Sequence, residues 1–178
     1  VSHENELLLN TVQCFLKDEI YPHEDAVDRS GEVPLELGRQ IEARAKEVGL
    51  FAANLPEAVG GGGLNYTSSS IVEREYGKTT HALQSWIARP TELLLACEGD
   101  QVARYLDPCV TGEKRELFAL TEPEAGSDVM GMKTNAKRDG RDWILNGSKT
   151  YISNGINGGA FVVAARTVPD KPHGISLF

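Results

Sequence analysis

Up to Gly112 the apolar residues recur every three or four positions; beyond it they fall into short runs and alternations. That change of period limits the fold more than any other feature, because one spacing suits a helix face and the other a strand. Leu8, Val12, Phe15, Leu16 and Ile20 form a first helical stripe, and Pro22 disfavours a smooth path through Tyr21. Pro34 suits the first turn of a second helix with the stripe Leu37, Ile41, Ala45 and Val48, which Gly49 stops. A third segment holds Ile71, Val72 and Tyr76 and ends near Gly77; a fourth carries Leu83, Trp86 and Ile87 and meets Pro90. The spacing predicts a restart over 91–96 and a last helix over 100–106, with Asp107-Pro108 as its terminator.

After Gly112 strands are predicted over 117–120, 133–137, 142–146, 148–152, 161–166 and 175–178. Arg138-Asp139-Gly140-Arg141 is a plausible hairpin turn, and Asn146-Gly147 is the strongest short hairpin signal. Helices followed by strands imply two segregated units rather than a βαβ repeat. The chain stops inside the apolar run Gly174-Ile175-Ser176-Leu177-Phe178, and five or six short strands close a small barrel poorly. The expectation is the N-terminal part of a longer polypeptide, or a second chain that completes the sheet.

With 40% hydrophobic and 25% charged residues, the 178-residue chain has a globular composition, so disorder is disfavoured. A net charge of −8 argues against a generally cationic nucleic-acid binder. No apolar run approaches the ~18 residues of a membrane span. The polar start over 1–6 reads as neither a signal nor a transit peptide, and Val1 is compatible with a processed or trimmed start. Cys14, Cys97 and Cys109 are odd in number and widely spaced, which points to buried thiols in a reducing compartment and to no zinc site.

Three segments invite a chemical reading. Pro56-Glu57-Ala58-Val59-Gly60-Gly61-Gly62-Gly63-Leu64 is glycine-rich, yet lacks the Gly-Lys-Ser/Thr end of a P-loop and the strand–helix context of a dinucleotide fingerprint. A tight connector between helices is the favoured reading. Thr121-Glu122-Pro123-Glu124-Ala125-Gly126-Ser127-Asp128 follows an apolar run. It is either a solvated acidic turn or a loop that offers hydroxyl and backbone N–H donors to phosphate or carbonyl oxygens. In Gly147-Ser148-Lys149-Thr150-Tyr151-Ile152-Ser153-Asn154-Gly155 a strand would put Tyr151 and Ser153 on one face. That face is either a cross-strand pair or a stacking surface with a hydrogen-bond donor for a flat heterocycle.

Together, in this order and after a helical half, the two latter segments resemble signatures of the acyl-CoA dehydrogenase flavoprotein family. Phe118-Ala119-Leu120-Thr121-Glu122-Pro123-Glu124-Ala125-Gly126-Ser127-Asp128 is similar to the first, and Asn146-Gly147-Ser148-Lys149-Thr150-Tyr151-Ile152-Ser153-Asn154-Gly155 to the second. Gly99-Asp100-Gln101 through Tyr105-Leu106, and Gly112-Glu113, look like the family's approach to its middle domain, so the resemblance covers essentially the whole chain. It implies an α+β fold: an all-helical N-terminal domain over 1–112, then a partial antiparallel β-barrel domain over 113–178, with the family's C-terminal helical domain outside this chain.

The resemblance also implies FAD as cofactor. Phe118, Leu120 and Thr121 would run past the flavin, Gly126 and Ser127 would meet its phosphates, and Tyr151, Ile152 and Ser153 would lie along the ring. Many relatives carry Trp or Phe where Tyr151 stands and Thr where Ser153 stands, changes that keep a π-face or a hydroxyl. The implied reaction is α,β-desaturation of an acyl-CoA thioester. The acyl tail of relatives lies between the helical and barrel domains. Trp86, Arg89, Thr91 and Ser127 are the candidate substrate contacts; core packing for Trp86 and a paired or solvated role for Arg89 stand as alternatives. Lys171 and His173 lie in a loop where CoA phosphates pass in relatives, or are merely solvated. No matched position makes Glu122 or Glu124 the catalytic base, which the family places outside this stretch. Implied partners are an electron-transfer flavoprotein and further copies or chains in a dimer, tetramer or hetero-oligomer. The implied location is the cytoplasm in a bacterium or the mitochondrial matrix in a eukaryote. A non-catalytic flavin-binding or assembly half, and an oxidase or monooxygenase on the same scaffold, are the alternative readings.

Overall fold

The computed structural model describes residues 2–156, 158–169, 171 and 173–178. Its contacts divide the chain into two units, Val1–Glu113 and Lys114–Phe178.

The first unit is helical. α1 (His3–Phe15) starts at Ser2, whose hydroxyl accepts the Asn5 N–H, as an N-cap should. It widens into a π-helical stretch over Leu16–Ile20 and tightens into a 3₁₀ turn over Tyr21–His23 before α2 (Glu24–Ser30). Pro22 has no N–H to give an α-helical ladder, so the irregularity falls where the proline interrupts it. α3 (Leu35–Glu47) begins right after Pro34 and ends before Gly49. α4 (Tyr66–Tyr76) is capped by Asn65, α5 (His81–Gln84) is short, and a 3₁₀ helix spans Glu92–Ala96 as the spacing predicts. The last helix differs from expectation. A π-helical stretch over Val102–Leu106 runs straight into α6 (Asp107–Thr111), which ends at Gly112. Pro108 sits in the first turn of α6, where no N–H is required, so Asp107-Pro108 continues the helix instead of terminating it.

Most of the predicted stripe positions form the core: Val12, Leu16, Ile20, Ile41, Ala45, Val72, Tyr76, Leu83 and Ile87 are buried, whereas Val48, at the end of its helix, is exposed. Trp86 lies flat against Gly38 of α3, where an added Cβ would stand 2.1 Å from Trp86 Cε2. Glu75, only 1% exposed, accepts from Gln13 of α1 and from Arg74 and Lys78, so its burial is compensated and α1 is tied to α4. The glycine-rich segment is a connector. The N–H groups of Gly60, Gly61, Gly62 and Gly63 donate to the carbonyls of Glu57, Pro56, Ala52 and Leu55, so none is left for a phosphate.

The second unit is a sheet of β1 (Glu116–Ala119), β2 (Asn135–Asp139), β3 (Asp142–Asn146), β4 (Ala160–Arg166) and β5 (Ile175–Leu177). The order is β1-β4-β2-β3, with β5 also on β4. β2–β3 and β4–β5 pair antiparallel, whereas β1 pairs with β4 in parallel, Leu117 opposite Phe161. The sheet is therefore mixed where an antiparallel one is expected. The physical reason is the long crossover through residues 120–159, which returns the chain in the direction of β1.

Three further expectations are corrected. The thiols are not all buried: Cys14 is exposed, Cys97 half-buried and Cys109 buried. Residues 148–152 form no strand: Tyr151 (φ +55°) and Asn154 (φ +58°) adopt left-handed backbone, which breaks a pleat. Tyr151 and Ser153 thus share no strand face. Asn146-Gly147 makes no hairpin either; the β2–β3 turn falls at Gly140-Arg141, with Gly140 at φ +60°. Gly147 instead presses on Thr134, whose Oγ1 would lie 2.3 Å from an added Cβ. No helix of the described residues is long and apolar enough to cross a membrane.

Candidate functional site

β1 delivers the chain to Leu120, which packs on the small core of Ala125, Met132 and Ala164. A tight turn follows: Glu122 and Ala125 exchange both backbone hydrogen bonds around Pro123-Glu124. Pro123 presets this turn, which leaves Gly126, Ser127 and Asp128 exposed beyond it. A Cβ at Gly126 would meet nothing within 4 Å, so the protein's own packing does not require a glycine there.

The second segment is fastened to the first by named bonds. Lys149 Nζ donates to Glu122 Oε1 at 2.8 Å and to Leu120 O at 2.9 Å, and Thr150 N–H donates to Thr121 O at 2.9 Å. Glu122 is 6% exposed and also accepts the N–H groups of Lys133 (2.7 Å) and Thr134 (3.0 Å). Burial pushes the Glu122 carboxyl up, but the Lys149 ammonium and the donors from Thr134 and Lys133 outweigh it and bring the pKa to about 2. Glu124 is paired with the Lys133 ammonium in a close contact. Both carboxylates are thus paired with lysines.

Of the sequence-predicted cofactor residues, the structure brings Leu120, Thr121, Tyr151, Ile152 and Ser153 into two segments joined at Lys149 and Thr150. Tyr151 is 91% exposed, Ile152 is half-buried and Ser153 exposed. Gly126 and Ser127 lie on the open loop past the turn, and Phe118 stands half out of β1. Among the described residues, the side-chain hydroxyls of Thr121, Ser127, Tyr151 and Ser153 have no hydrogen-bond partner. A cleft of about 400 Å³ adjoins the clamp, lined by Glu122, Glu124, Lys133, Thr134, Asn146 and Ser148 among others. Lys171 and His173 are exposed.

Trp86, Arg89 and Thr91 belong to the helical unit. Arg89 grips both carboxylate oxygens of Glu73 at 2.7 Å, donates to Gln84 and lies over the Tyr76 ring, so it is a paired side chain. Thr91 accepts the Leu93 N–H at the start of a 3₁₀ helix. Sequence reading missed Lys149 and the joining role of Glu122. A buried Lys–Glu pair separated by 27 positions leaves no periodic signal.

Family models match both units: "Acyl-CoA dehydrogenase, N-terminal domain" over residues 2–113 and "Acyl-CoA dehydrogenase, middle domain" over 117–178. The mitochondrial long-chain specific acyl-CoA dehydrogenase of Sus scrofa is 36% identical over 185 residues, 99% of this chain and 42% of the relative. The caffeyl-CoA reductase–Etf complex subunit CarC of Acetobacterium woodii is 34% identical, over 99% of this chain and 48% of its own length. The crystal structure of a glutaryl-CoA dehydrogenase from Mycobacterium smegmatis in complex with FADH2 superposes with a TM-score of 0.84 at 27% identity, over 100% of this chain and 45% of that one. The chain thus spans under half the length of these relatives. With its helical half and its sheet half each matched in sequence and in fold, the chain belongs to the acyl-CoA dehydrogenase family.

Proposed function

We propose that this chain carries the flavin-binding part of an FAD-dependent acyl-CoA dehydrogenase. The observation that supports it best is the Lys149 bridge, which unites two segments far apart in sequence and leaves their ligand-type groups outward. The donor set fits the cofactor. Unpartnered hydroxyls at Thr121, Ser127 and Ser153 suit the polar edge and phosphates, and the exposed Tyr151 ring suits a flat heterocycle. FAD, when bound, supplies the hydride acceptor for α,β-desaturation of an acyl-CoA thioester.

The chain's own residues bind and orient. Phe118, Leu120, Tyr151 and Ile152 offer apolar contact that excludes water from the ring; Gly126 leaves room for the Ser127 donors on the phosphate side. Trp86, Arg89, Thr91 and Ser127 are the proposed acyl-CoA contacts, Arg89 being held in place by Glu73. Neither Glu122 nor Glu124 matches the position of the family's base, and both are paired with lysines. The Etf-complex relative supports an electron-transfer flavoprotein as partner, and a homo- or hetero-oligomer as the working form. The relative named as mitochondrial supports a mitochondrial location in a eukaryote, for which the matrix is our proposal; a bacterial protein would act in the cytoplasm.

The test is direct. The complete protein is expected to purify yellow with bound FAD and to bleach anaerobically with an acyl-CoA. A colourless protein that cannot be reconstituted with FAD would overturn the reading. Because reductases are among the relatives, the enoyl-CoA is assayed in parallel with a reduced mediator to establish direction.

A further inference from the structure

Residues 151–155 carry three of the proposed flavin contacts, yet among the described residues they hydrogen-bond only within their own turn, Gly155 N–H to Ile152 O at 3.1 Å. Their attachment to the sheet unit lies upstream, in the two bonds of Lys149 and the one of Thr150. We propose that Lys149 is a positioning residue for the flavin site: its ammonium clamps residues 149–151 to 120–122 and so fixes where Thr121 and Tyr151 stand.

The inference rests on the FAD reading and goes beyond it, because Lys149 is not itself among the proposed ligand contacts and acts on them through Leu120 O and Glu122. Three features make the clamp rigid. The Lys149 side chain is 10% exposed, so water does not compete freely for its donors. It reaches two acceptors in one short segment, the Leu120 carbonyl and the Glu122 carboxylate, which fixes direction as well as distance. Glu122 cannot swing to follow a displaced lysine, because the Lys133 and Thr134 N–H groups hold its two oxygens from the other side. Tyr151 follows two positions later in a left-handed conformation that costs a non-glycine residue strain, so its backbone needs an external hold. The Thr150 N–H bond alone is a backbone contact with no charge behind it.

Lys149→Met removes the donors and keeps the length; Lys149→Arg keeps the charge. In the complete protein Lys149→Met is expected to weaken FAD binding, read by flavin fluorescence titration, at least about tenfold. It is also expected to shift the visible flavin absorption band and the midpoint potential, which a generally destabilising change would not move. Lys149→Arg should recover most of the affinity. Amide hydrogen exchange adds a readout without flavin: residues 150–155 should exchange faster in Lys149→Met, with 135–146 unchanged. A folded Lys149→Met protein with wild-type affinity, spectrum and exchange overturns the proposal. If that variant does not fold, Glu122→Gln, which keeps the shape and an acceptor but not the charge, decides by the same readouts. Wild-type protein unable to bind FAD sinks the cofactor reading instead, and the exchange experiment still judges the clamp.

Discussion

Lys149 Nζ and Glu122 Oε1, both largely buried, stand 2.8 Å apart and join segments 27 positions apart. The pair welds the end of β1 to the loop beyond β3. Against the upward push of burial, the Lys149 ammonium and the N–H groups of Thr134 and Lys133 hold the Glu122 carboxyl down to about 2, well below the usual carboxylate range.

Acid should reveal it. A carboxyl whose folded pKa lies below its ordinary value of 4.5 stabilises fully above that value and loses the contribution as pH falls through about 2. The difference is worth about 3 kcal/mol. Lys149, the N–H groups of Lys133 and Thr134, and the like charge of Glu124 are the groups bearing on Glu122. Unfolding of the sheet unit, followed by urea titration between pH 2 and 6, is expected to lose stability towards pH 2. Glu122→Gln should flatten that slope, and an unchanged slope would remove Glu122 as its source.

Tyr151 separates binding from stability. Its ring is almost wholly exposed and its φ is +55°. Tyr151→Gly relieves left-handed strain of about 1 kcal/mol, so the FAD-free protein should unfold at equal or higher temperature. FAD affinity should nonetheless drop about tenfold, the loss of one aromatic contact. Calorimetry and fluorescence titration on the same preparation check both halves.

Ser153 is the proposed donor at the redox edge. Removing one donor aimed at developing charge costs on the order of 2–4 kcal/mol in a dry site. Ser153→Ala should slow reductive bleaching by saturating acyl-CoA at least about tenfold, while FAD content stays near wild type. Ser153→Thr should keep most of the rate. Stopped-flow absorbance decides, and an unaltered rate in a fully loaded Ala variant excludes the role.

In the helical unit, Gly38→Ala drives a methyl into the Trp86 ring. Overpacking of this kind costs about 1–3 kcal/mol. Thermal unfolding should show the loss. If Trp86 also shapes the acyl wall, KM for acyl-CoA changes as well; an unchanged KM in the folded variant assigns Trp86 to packing alone.

Much of the fold is legible in the residues because periodicity is local. The stripe Val12–Leu16–Ile20 and the pair Ile41–Ala45 are buried as their spacing demands. The hairpin turn at Gly140 is legible for the same reason, since its chemistry lies in adjacent residues. Residues 148–152 misled because Thr150, Tyr151 and Ile152 favour strands, while the bonds from Lys149 and Thr150 hold them against the 120–122 segment. Asp107-Pro108 misled because proline marks a helix start as readily as an end. The joining of the two motifs was written only in tertiary contact.

The parallel pairing of β1 with β4 has a kinetic meaning. Leu117 meets Phe161 only after the whole of 120–159 has been looped out, whereas β2 and β3 close through a two-residue turn. Loop closure of that length is slow, so the hairpin should form early and the β1–β4 ladder late. The segments bearing Thr121 and Tyr151 lie inside that late loop. A ligand that grips them acts after the rate-limiting step, and its grip should therefore lengthen the lifetime of the folded sheet rather than hasten its assembly.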